Sequence, residues 1–164
     1  MIHAVLYQPE IPQNTGNIIR TCAAFNVELD LIEPLGFYLD EPHLRRAGMD
    51  YRDLLDVHRF PDWQTFTDSH PGTYYYTTRY GSHQPDEFDY RSGDELYFVF
   101  GRESTGIPKE ILKRDTDHCI RIPMDEKARC LNLSNTVAIV LYEAMRQRKF
   151  AGLAIEEVMK QGIL

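Results

Sequence analysis

Residues 95–110, ELYFVFGRESTGIPKE, decide the fold of this 164-residue chain. The first half is the strongest strand signal in the sequence, a near-continuous apolar run that is typical of a strand buried in a parallel sheet. Gly101 then opens a turn that carries Glu103 and Gly106, and Pro108 starts a helix, since proline is favoured in the first turn. Glycines in such a turn let a ligand approach the backbone closely. The turn is therefore either a ligand-binding loop or a tight connection between a strand and a helix.

The same turn does not fit two familiar catalytic motifs. Gly101 and Gly106 have the spacing of a P-loop, but Ile107 stands where the lysine is needed. The serine elbow GxSxG also fails, because Ser104 lies three residues after Gly101. The sequence contains no evident Ser–His–Asp set or carboxylate pair, so its glycines, amides and arginines favour group transfer by positioning.

Strand and helix patterns alternate along the whole chain. Strands are predicted at residues 2–7, 27–33, 57–60, 73–78, 95–101 and 118–123, and helices at residues 15–26, 41–47, 62–69, 108–114 and 133–149. This order predicts an α/β fold in one domain, residues 1–164, with a mainly parallel sheet and helices on both faces. Ligands of such sheets bind at the carboxyl ends of strands. Three loops at predicted strand ends are therefore of interest, and the turn after residue 100 is one of them.

The loop after Tyr7, PEIPQNTGNIIR, combines polar caps with an arginine. Asn14 is predicted to cap a helix that begins at about Thr15. Asn17 and Arg20 lie three residues apart and so share a helix face. An arginine one turn from a helix start, beside free backbone N–H groups, suits an anion such as phosphate. The alternative is a plain cap followed by a surface arginine.

The third segment, NLSNTVAIVLYE, begins the last long helix after a loop that contains Arg129. Asn132 and Ser134 can each cap this helix, so the amide of Asn135 is not needed for capping. Tyr142 lies two turns after Asn135 and therefore on the same face. The segment is either a well-capped core helix or a cluster of neutral donors and acceptors beside an arginine.

Composition and charge exclude several classes of protein. The net charge of −7 weighs against a nucleic-acid partner, although a basic patch can sit on an acidic protein. No apolar run approaches the roughly 20 residues of a membrane span, and the first residues do not resemble a signal peptide. The three cysteines form no CxxC pair and the histidines are scattered, so we expect no metal and a reducing, cytoplasmic location.

Taken together, the three loops resemble the SPOUT superfamily of RNA methyltransferases. The matching segments are NTGNIIR at 14–20, FGRESTGIP at 100–108, and IPM at 122–124 followed by NLSN at 132–135, in the family's order. The chain length and the segment LRRAG at 44–48 are similar to the small single-domain tRNA 2′-O-methyltransferases that act on the wobble cytidine or uridine of the anticodon loop. The resemblance implies methyl transfer from S-adenosylmethionine to the ribose 2′-hydroxyl, with S-adenosylhomocysteine as the second product.

The resemblance also implies a fold, an assembly and a set of cofactor contacts. It implies a C-terminal trefoil knot, in about residues 73–150, and a homodimer in which each site is completed by the partner. The cofactor would be held largely by backbone groups. The positions implied for these contacts are Tyr76, Gly101, Gly106, Ile122, Cys130, Leu131 and Asn132. Relatives commonly have serine at the position of Cys130, and a thiol is a weaker hydrogen-bond donor.

The resemblance points to Arg20 as a catalytic residue, and we predict that Glu103, Asn135 and Tyr142 complete the catalytic set. A guanidinium has a pKa above about 12 and is a poor base, so Arg20 is expected to bind the phosphate beside the target ribose. Asn135 and Tyr142 would hold the nucleotide, and Glu103 would order its loop. The candidate RNA contacts are Arg45, Arg46, Arg79, Arg102, Arg121 and Arg129, pooled over the dimer.

Three other functions are compatible with the sequence. One is 2′-O-methylation of another RNA, such as ribosomal RNA. A second is a protein that binds cofactor and RNA without turnover, against which the intact Asn14, Arg20, Glu103 and Asn135 argue. A third is an α/β enzyme with a small-molecule substrate, which only the acidic charge balance favours.

Overall fold

The sheet of the protein is parallel throughout the part of the chain that the computed structural model describes, residues 1–38, 57–92 and 94–156. Six strands lie in the order β3-β2-β1-β5-β4-β6, and each neighbouring pair is parallel. The strands are β1 (Ile2–Tyr7), β2 (Glu28–Ile32), β3 (Val57–Phe60), β4 (Thr73–Thr77), β5 (Leu96–Phe100) and β6 (Cys119–Ile120). The predicted α/β class and parallel sheet are confirmed.

Three of the described helices lie between strands along the chain, and the fourth follows β6. They are α1 (Pro12–Phe25), α2 (Trp63–Ser69), α3 (Lys109–Leu112) and α4 (Leu133–Gln147), with 3₁₀ turns at Pro85–Glu87 and Thr116–His118. None of them is long and apolar enough to cross a membrane. The helix predicted at 41–47, with Arg45 and Arg46, and the LRRAG segment lie outside the described residues.

The near-continuous apolar run of β5 has a simple cause, since both of its faces are covered. Phe98 and Phe100 point into a core that includes Ile18 of α1 and Leu141 of α4. The alternate residue Val99 points into a second core on the opposite face. Side chains of α2 and α3 fill that second core, so the prediction of helices on both faces is confirmed. A central strand buried on both sides needs apolar residues at successive positions.

Helix α1 begins earlier than predicted. It starts at Pro12, with Ile11 as the N-cap residue, and not at Thr15. Proline is preferred in the first turn because its fixed φ suits a helix and its missing N–H would have no partner within the helix. Asn14 therefore lies inside the first turn and does not cap the helix, and its side chain is free to bond elsewhere.

Several other elements differ from prediction by a residue at one or both ends, and the larger differences concern β6, α3, α4 and one cap. Strand β6 has two residues where 118–123 was predicted, because Arg121 N–H bonds to the carbonyl of His83, outside the named strands. Helix α3 stops at Leu112 and α4 at Gln147, short of the predicted 114 and 149. Ser134 does not cap α4, since its hydroxyl donates to Asn132, the residue that does.

A buried ionic network stabilises the amino-terminal side of the sheet. His3 Nδ1 lies 2.9 Å from Asp30 Oδ2, and His3 Nε2 lies 3.0 Å from Glu95 Oε2. The Asp30 residue is fully buried (0% exposed), and His58 Nδ1 approaches its other oxygen at 3.3 Å. Burial opposes protonation of His3, but the bonds and charges of Asp30 and Glu95 outweigh it and raise the pKa of His3.

We expect His3→Gln to lower the free energy of unfolding by about 2 kcal/mol at about pH 6, because buried Asp30 loses its charged partner. Protonated His3 stabilises the folded state below its ordinary pKa of 6.5, and that contribution is lost as the pH rises through the raised pKa. Urea unfolding of the wild type and of His3→Gln, measured at about pH 6 and at about pH 9, should therefore show a smaller difference in stability at about pH 9.

The matched control is His58→Gln, since His58 contacts the same carboxylate but its side chain is 53% exposed. His58→Gln should lower the free energy of unfolding by less than about 1 kcal/mol. A His3→Gln deficit that is equal at both pH values would contradict the role of the charged imidazole.

Candidate functional site

Three loops meet at the carboxyl edge of the sheet. One leaves β1 and enters α1, one leaves β5 and enters α3, and one follows β6 and enters α4. Because all the strands run in parallel, their carboxyl ends lie at a common edge. Direct hydrogen bonds between side chains join the three loops there.

Glu103 connects the second loop to the first. Its Oε2 accepts from the backbone N–H of Glu10 at 2.8 Å, and its Oε1 accepts from the N–H of Ile11 at 3.2 Å. The same Oε1 accepts from Asn14 Nδ2 at 3.0 Å. Ile11, the N-cap residue of α1, makes no side-chain cap bond. A carboxylate from a distant loop therefore neutralises the positive, donor-rich start of this helix.

Glu10 makes the reverse connection. Its Oε2 accepts from Ser104 N–H at 2.9 Å, and its Oε1 accepts from Ser104 Oγ at 2.8 Å. These bonds lower the pKa of the Glu10 carboxyl. We call the set Glu10, Glu103 and Ser104 the carboxylate clasp. Each carboxylate binds the loop that carries the other, so the two loops are fixed relative to each other in both directions.

Asn14 extends the connection to the third loop. The residue is buried, and its Oδ1 accepts from Asn132 Nδ2 at 2.9 Å. Asn132 Oδ1 in turn accepts from the N–H of Ser134 at 2.9 Å and caps α4. A continuous chain of side chains, Glu103–Asn14–Asn132, thus joins all three loops. The sequence analysis placed these three residues at helix starts or turns but did not predict that they bond to one another.

The loop between β5 and α3 requires glycine at both of its ends. Arg102 and Gly106 exchange backbone hydrogen bonds of 3.3 and 2.9 Å, which closes the loop. A Cβ atom at Gly101 would lie 2.2 Å from the carbonyl carbon of Gly106, and Gly106 itself has a φ of +73°. The turn is therefore a rigid, backbone-lined surface beside the clasp, not an adjustable linker.

The remaining candidate cofactor positions lie on adjacent strand ends. Tyr76, near the end of β4, is paired with Val99 of β5 and with Cys119 of β6. Its ring packs against Trp63 in the second core, and burial raises its pKa to about 12. Its side chain is almost fully buried, so Tyr76 would meet a ligand at the sheet edge chiefly through its backbone. Ile122 is half-buried just beyond β6.

The loop after β6 exposes both its backbone and an apolar side chain. Among the described residues, one backbone–backbone bond is formed within 122–131, from Ala128 to Asp125. Cys130 is exposed, and Leu131 is 37% exposed. This loop and the glycine loop offer backbone donors and acceptors with apolar contacts, a set that suits a planar heterocycle and its sugar better than a strongly charged ligand.

The candidate catalytic side chains outside the loops lie on α1 and α4, which pack against each other. Arg20 is exposed on α1, and Asn135 is exposed in the first turn of α4. Tyr142 lies two turns further along and contacts Phe25 and Phe150, at ring-centroid distances of 6.4 and 5.3 Å. It lines an open groove of about 690 Å³ beside α4, and its contacts given above are with aromatic rings, not with the hydrogen-bonded cluster.

Sequence reasoning did not identify Glu10 and Ser104 as site residues. One signal was available for Glu10, because an acidic residue directly before a helix start is often engaged at that terminus. No local pattern indicates that its partner is Ser104, which follows it by 94 residues.

Comparisons with known proteins identify a family and relatives that this chain resembles. The family model described as the SpoU rRNA Methylase family matches residues 1–142. A tRNA (cytidine(34)-2′-O)-methyltransferase of Burkholderia cenocepacia is 46% identical over 157 residues, which are 93% of this chain and 99% of that protein.

Two solved structures are also similar. One, described as giving structural insights into the 2-OH methylation of C/U34 on tRNA, is 41% identical with a TM-score of 0.82, and the match covers 91% of this chain and 97% of that one. An AdoMet-bound rRNA methyltransferase from Sinorhizobium meliloti is 28% identical with a TM-score of 0.75, over 88% of this chain and 56% of that one.

We expect Glu103→Ala to lower the free energy of unfolding by about 2 kcal/mol, because three donors at the start of α1 lose one shared charged acceptor. Urea unfolding measures the change. Glu110→Ala removes the same charge from an exposed position of α3 and should cost no more than about 0.5 kcal/mol. Equal, small losses in both variants would show that the clasp contributes little to stability.

Proposed function

The chain belongs to the SpoU rRNA Methylase family, and from this membership we propose that it methylates the ribose 2′-hydroxyl of the wobble nucleotide, cytidine or uridine, in tRNA. The observation that carries the proposal is the Glu103–Asn14–Asn132 chain, which joins the three family motifs at one sheet edge. The near full-length similarity to a tRNA (cytidine(34)-2′-O)-methyltransferase supports the choice of tRNA over ribosomal RNA. Cytoplasmic tRNA is the expected partner.

S-adenosylmethionine fits the backbone-lined surface that the loops form. The Gly101–Gly106 loop and the exposed backbone around Leu131 supply neutral donors, acceptors and apolar contact, as its adenosine part requires. Tyr76, Gly101, Gly106, Ile122, Cys130, Leu131 and Asn132 would hold it. When bound, the cofactor supplies a methyl group that its positively charged sulfur already activates. Exposed Cys130 can take part through its backbone without a strong side-chain bond.

The topology of the C-terminal half supports the proposed trefoil knot over about residues 73–150. The chain passes from β5 to the edge strand β6, on the far side of β4, and then returns to α4. Helix α4 packs against both α1 and β5. The loop after β6 must therefore travel back across the sheet edge, where the proposed cofactor surface lies.

The protein residues act mainly by orienting the sugar. Arg20 is assigned to the phosphate beside the target ribose, because a guanidinium fork suits phosphate oxygens, and this contact aims the 2′-hydroxyl at the methyl group. Asn135, exposed one turn from the Asn132 cap, is assigned to the nucleotide. Glu103 positions the loops through the clasp. Fixing the reacting groups in this way is the protein's main contribution to the rate.

The proposed homodimer gives Tyr142 a place in the site. Within one protomer Tyr142 lines the groove on α4 with Phe25 and Ile139, and both Tyr142 and Ile139 are exposed. Exposed apolar side chains gathered along a groove favour burial against another surface. In a dimer formed through this groove, Tyr142 would lie near the site of the partner protomer and could hold the nucleotide there.

The function is tested by incubating the protein with S-adenosylmethionine and undermodified tRNA, followed by nucleoside mass spectrometry and mapping of the modified position. We expect a 2′-O-methylated cytidine or uridine at the wobble position. Methylation of ribosomal RNA in place of tRNA would show that the substrate is ribosomal RNA and that the proposed tRNA substrate is wrong. Cofactor binding without any methylated product would contradict the enzyme assignment.

We expect Arg20→Ala to reduce methyl transfer by about 100-fold or more, because a misplaced sugar is aimed poorly at the methyl group. Affinity for S-adenosylmethionine, measured by calorimetry, should change by less than about twofold, since Arg20 lies on α1 and not on the cofactor loops. Arg91→Ala, at an exposed arginine paired with Asp89, is the control and should retain activity. Equal loss of transfer and of cofactor affinity would contradict the phosphate-binding role.

A further inference from the structure

An exposed tyrosine flanked by two cations follows strand β4. Tyr80 is 59% exposed, and the Arg79 guanidinium carbon lies 4.9 Å from the centre of its ring. Lys109 Nζ, at the start of α3, lies 5.6 Å from the same ring. Arg79 Nη2 also donates to the Tyr80 hydroxyl at 2.7 Å. We call Arg79, Tyr80 and Lys109 the Tyr80 platform.

The backbone beneath the platform is held firmly. Thr78 N–H bonds to the carbonyl of Ile120 at 2.9 Å, and Tyr80 N–H bonds to Thr78 Oγ1 at 3.3 Å. The Arg121 guanidinium donates to the carbonyl of Arg79. A Cβ atom at Gly81 would lie 2.6 Å from the backbone carbon of Ile120, so the turn packs directly on β6. The backbone that carries the ring is thus fixed in position, although the core does not bury the ring itself.

The platform borders the proposed cofactor surface. Tyr80 follows the carboxyl end of β4, and β4 lies between β5 and β6 in the sheet. Lys109 follows the Gly101–Gly106 loop by three residues. Arg79, Lys109 and Arg121 also gather positive charge here, on a chain whose net charge is −7. Local cations on an acidic protein favour an anionic partner at this edge.

We propose that the Tyr80 platform binds single-stranded RNA next to the methylated nucleotide, with a base stacked on the Tyr80 ring and phosphates bound by Arg79 and Lys109. The inference rests on the proposed function and adds a nucleotide-binding surface to it. Single-stranded RNA is recognised by aromatic rings that stack on unpaired bases, together with cations that bind the backbone. The hydroxyl bond to Arg79 restrains the ring and the guanidinium together, which reduces the ordering required on binding.

The first test compares Tyr80→Ala with Tyr80→Phe in methylation assays on undermodified tRNA. Loss of one stacking contact should raise the KM for tRNA by about tenfold, while the affinity for S-adenosylmethionine stays at the wild-type value. Tyr80→Phe keeps the stacking face but loses the hydroxyl bond to Arg79, so its KM for tRNA should lie between those of the wild type and Tyr80→Ala, nearer to the wild type. An unchanged KM in Tyr80→Ala overturns the inference, and wild-type methylation of the wobble position would still stand as the proposed function.

A second test reports stacking directly. In a Tyr80→Trp variant, with Trp63 also changed to Phe, the introduced indole should lose fluorescence when an anticodon stem-loop binds, because a stacked base quenches it. A protein that binds the stem-loop with no change in this signal would overturn the inference.

The cations are tested by the dependence of RNA affinity on salt. Arg79→Gln and Lys109→Gln should each reduce the slope of log affinity against log salt by about one. Arg91→Gln removes an exposed charge near the amino-terminal end of β5 and should leave the slope unchanged. Equal slopes in all three variants would show that the platform cations do not contact phosphates.

Discussion

The carboxylate of Glu103 is the interaction on which the arrangement of the site depends. It accepts hydrogen bonds from two backbone N–H groups at the start of α1 and from the buried amide of Asn14. One charged group thereby fixes the glycine loop after β5 against the first turn of α1. Asn14 then passes the constraint to Asn132, the cap of α4. Removing the Glu103 carboxylate would break three of the bonds between the first two loops and leave Asn14 Nδ2 without that acceptor, so the constraint on Asn132 would weaken as well.

The two edges of the sheet serve different purposes. At the amino-terminal edge, His3 pairs with buried Asp30 and with Glu95. At the carboxyl edge, the ionic groups bind backbone and amide donors and leave an open surface of loops. The ionic network at the amino-terminal edge stabilises the sheet, and the sheet positions the loops at the carboxyl edge. This division follows from the parallel topology, which collects strand exits on one side.

Local sequence patterns predicted most of the fold and only part of the site. The strands at Ile2–Tyr7 and Val57–Phe60 were predicted to the residue, because apolar runs and flanking breakers are local signals. The start of α1 was misplaced, since a polar Asn14 near a helix start suggests a cap when its actual partners lie 89 and 118 residues away. Glu10 and Ser104 were not predicted as site residues for the same reason, because they are 94 residues apart in the sequence. Motif order identified the family, but only the folded chain shows which side chains bond to each other.

The pairing of Asn14 with Asn132 has a consequence for synthesis of the protein on the ribosome. Asn14 emerges early, yet its buried amide is completed only after Asn132 and the helix that it caps have been made, 118 residues later. A growing chain therefore lacks a finished pocket throughout most of its translation. The link between the first and third loops is therefore one of the late contacts of the fold, and a chain that ends before Asn132 cannot make it.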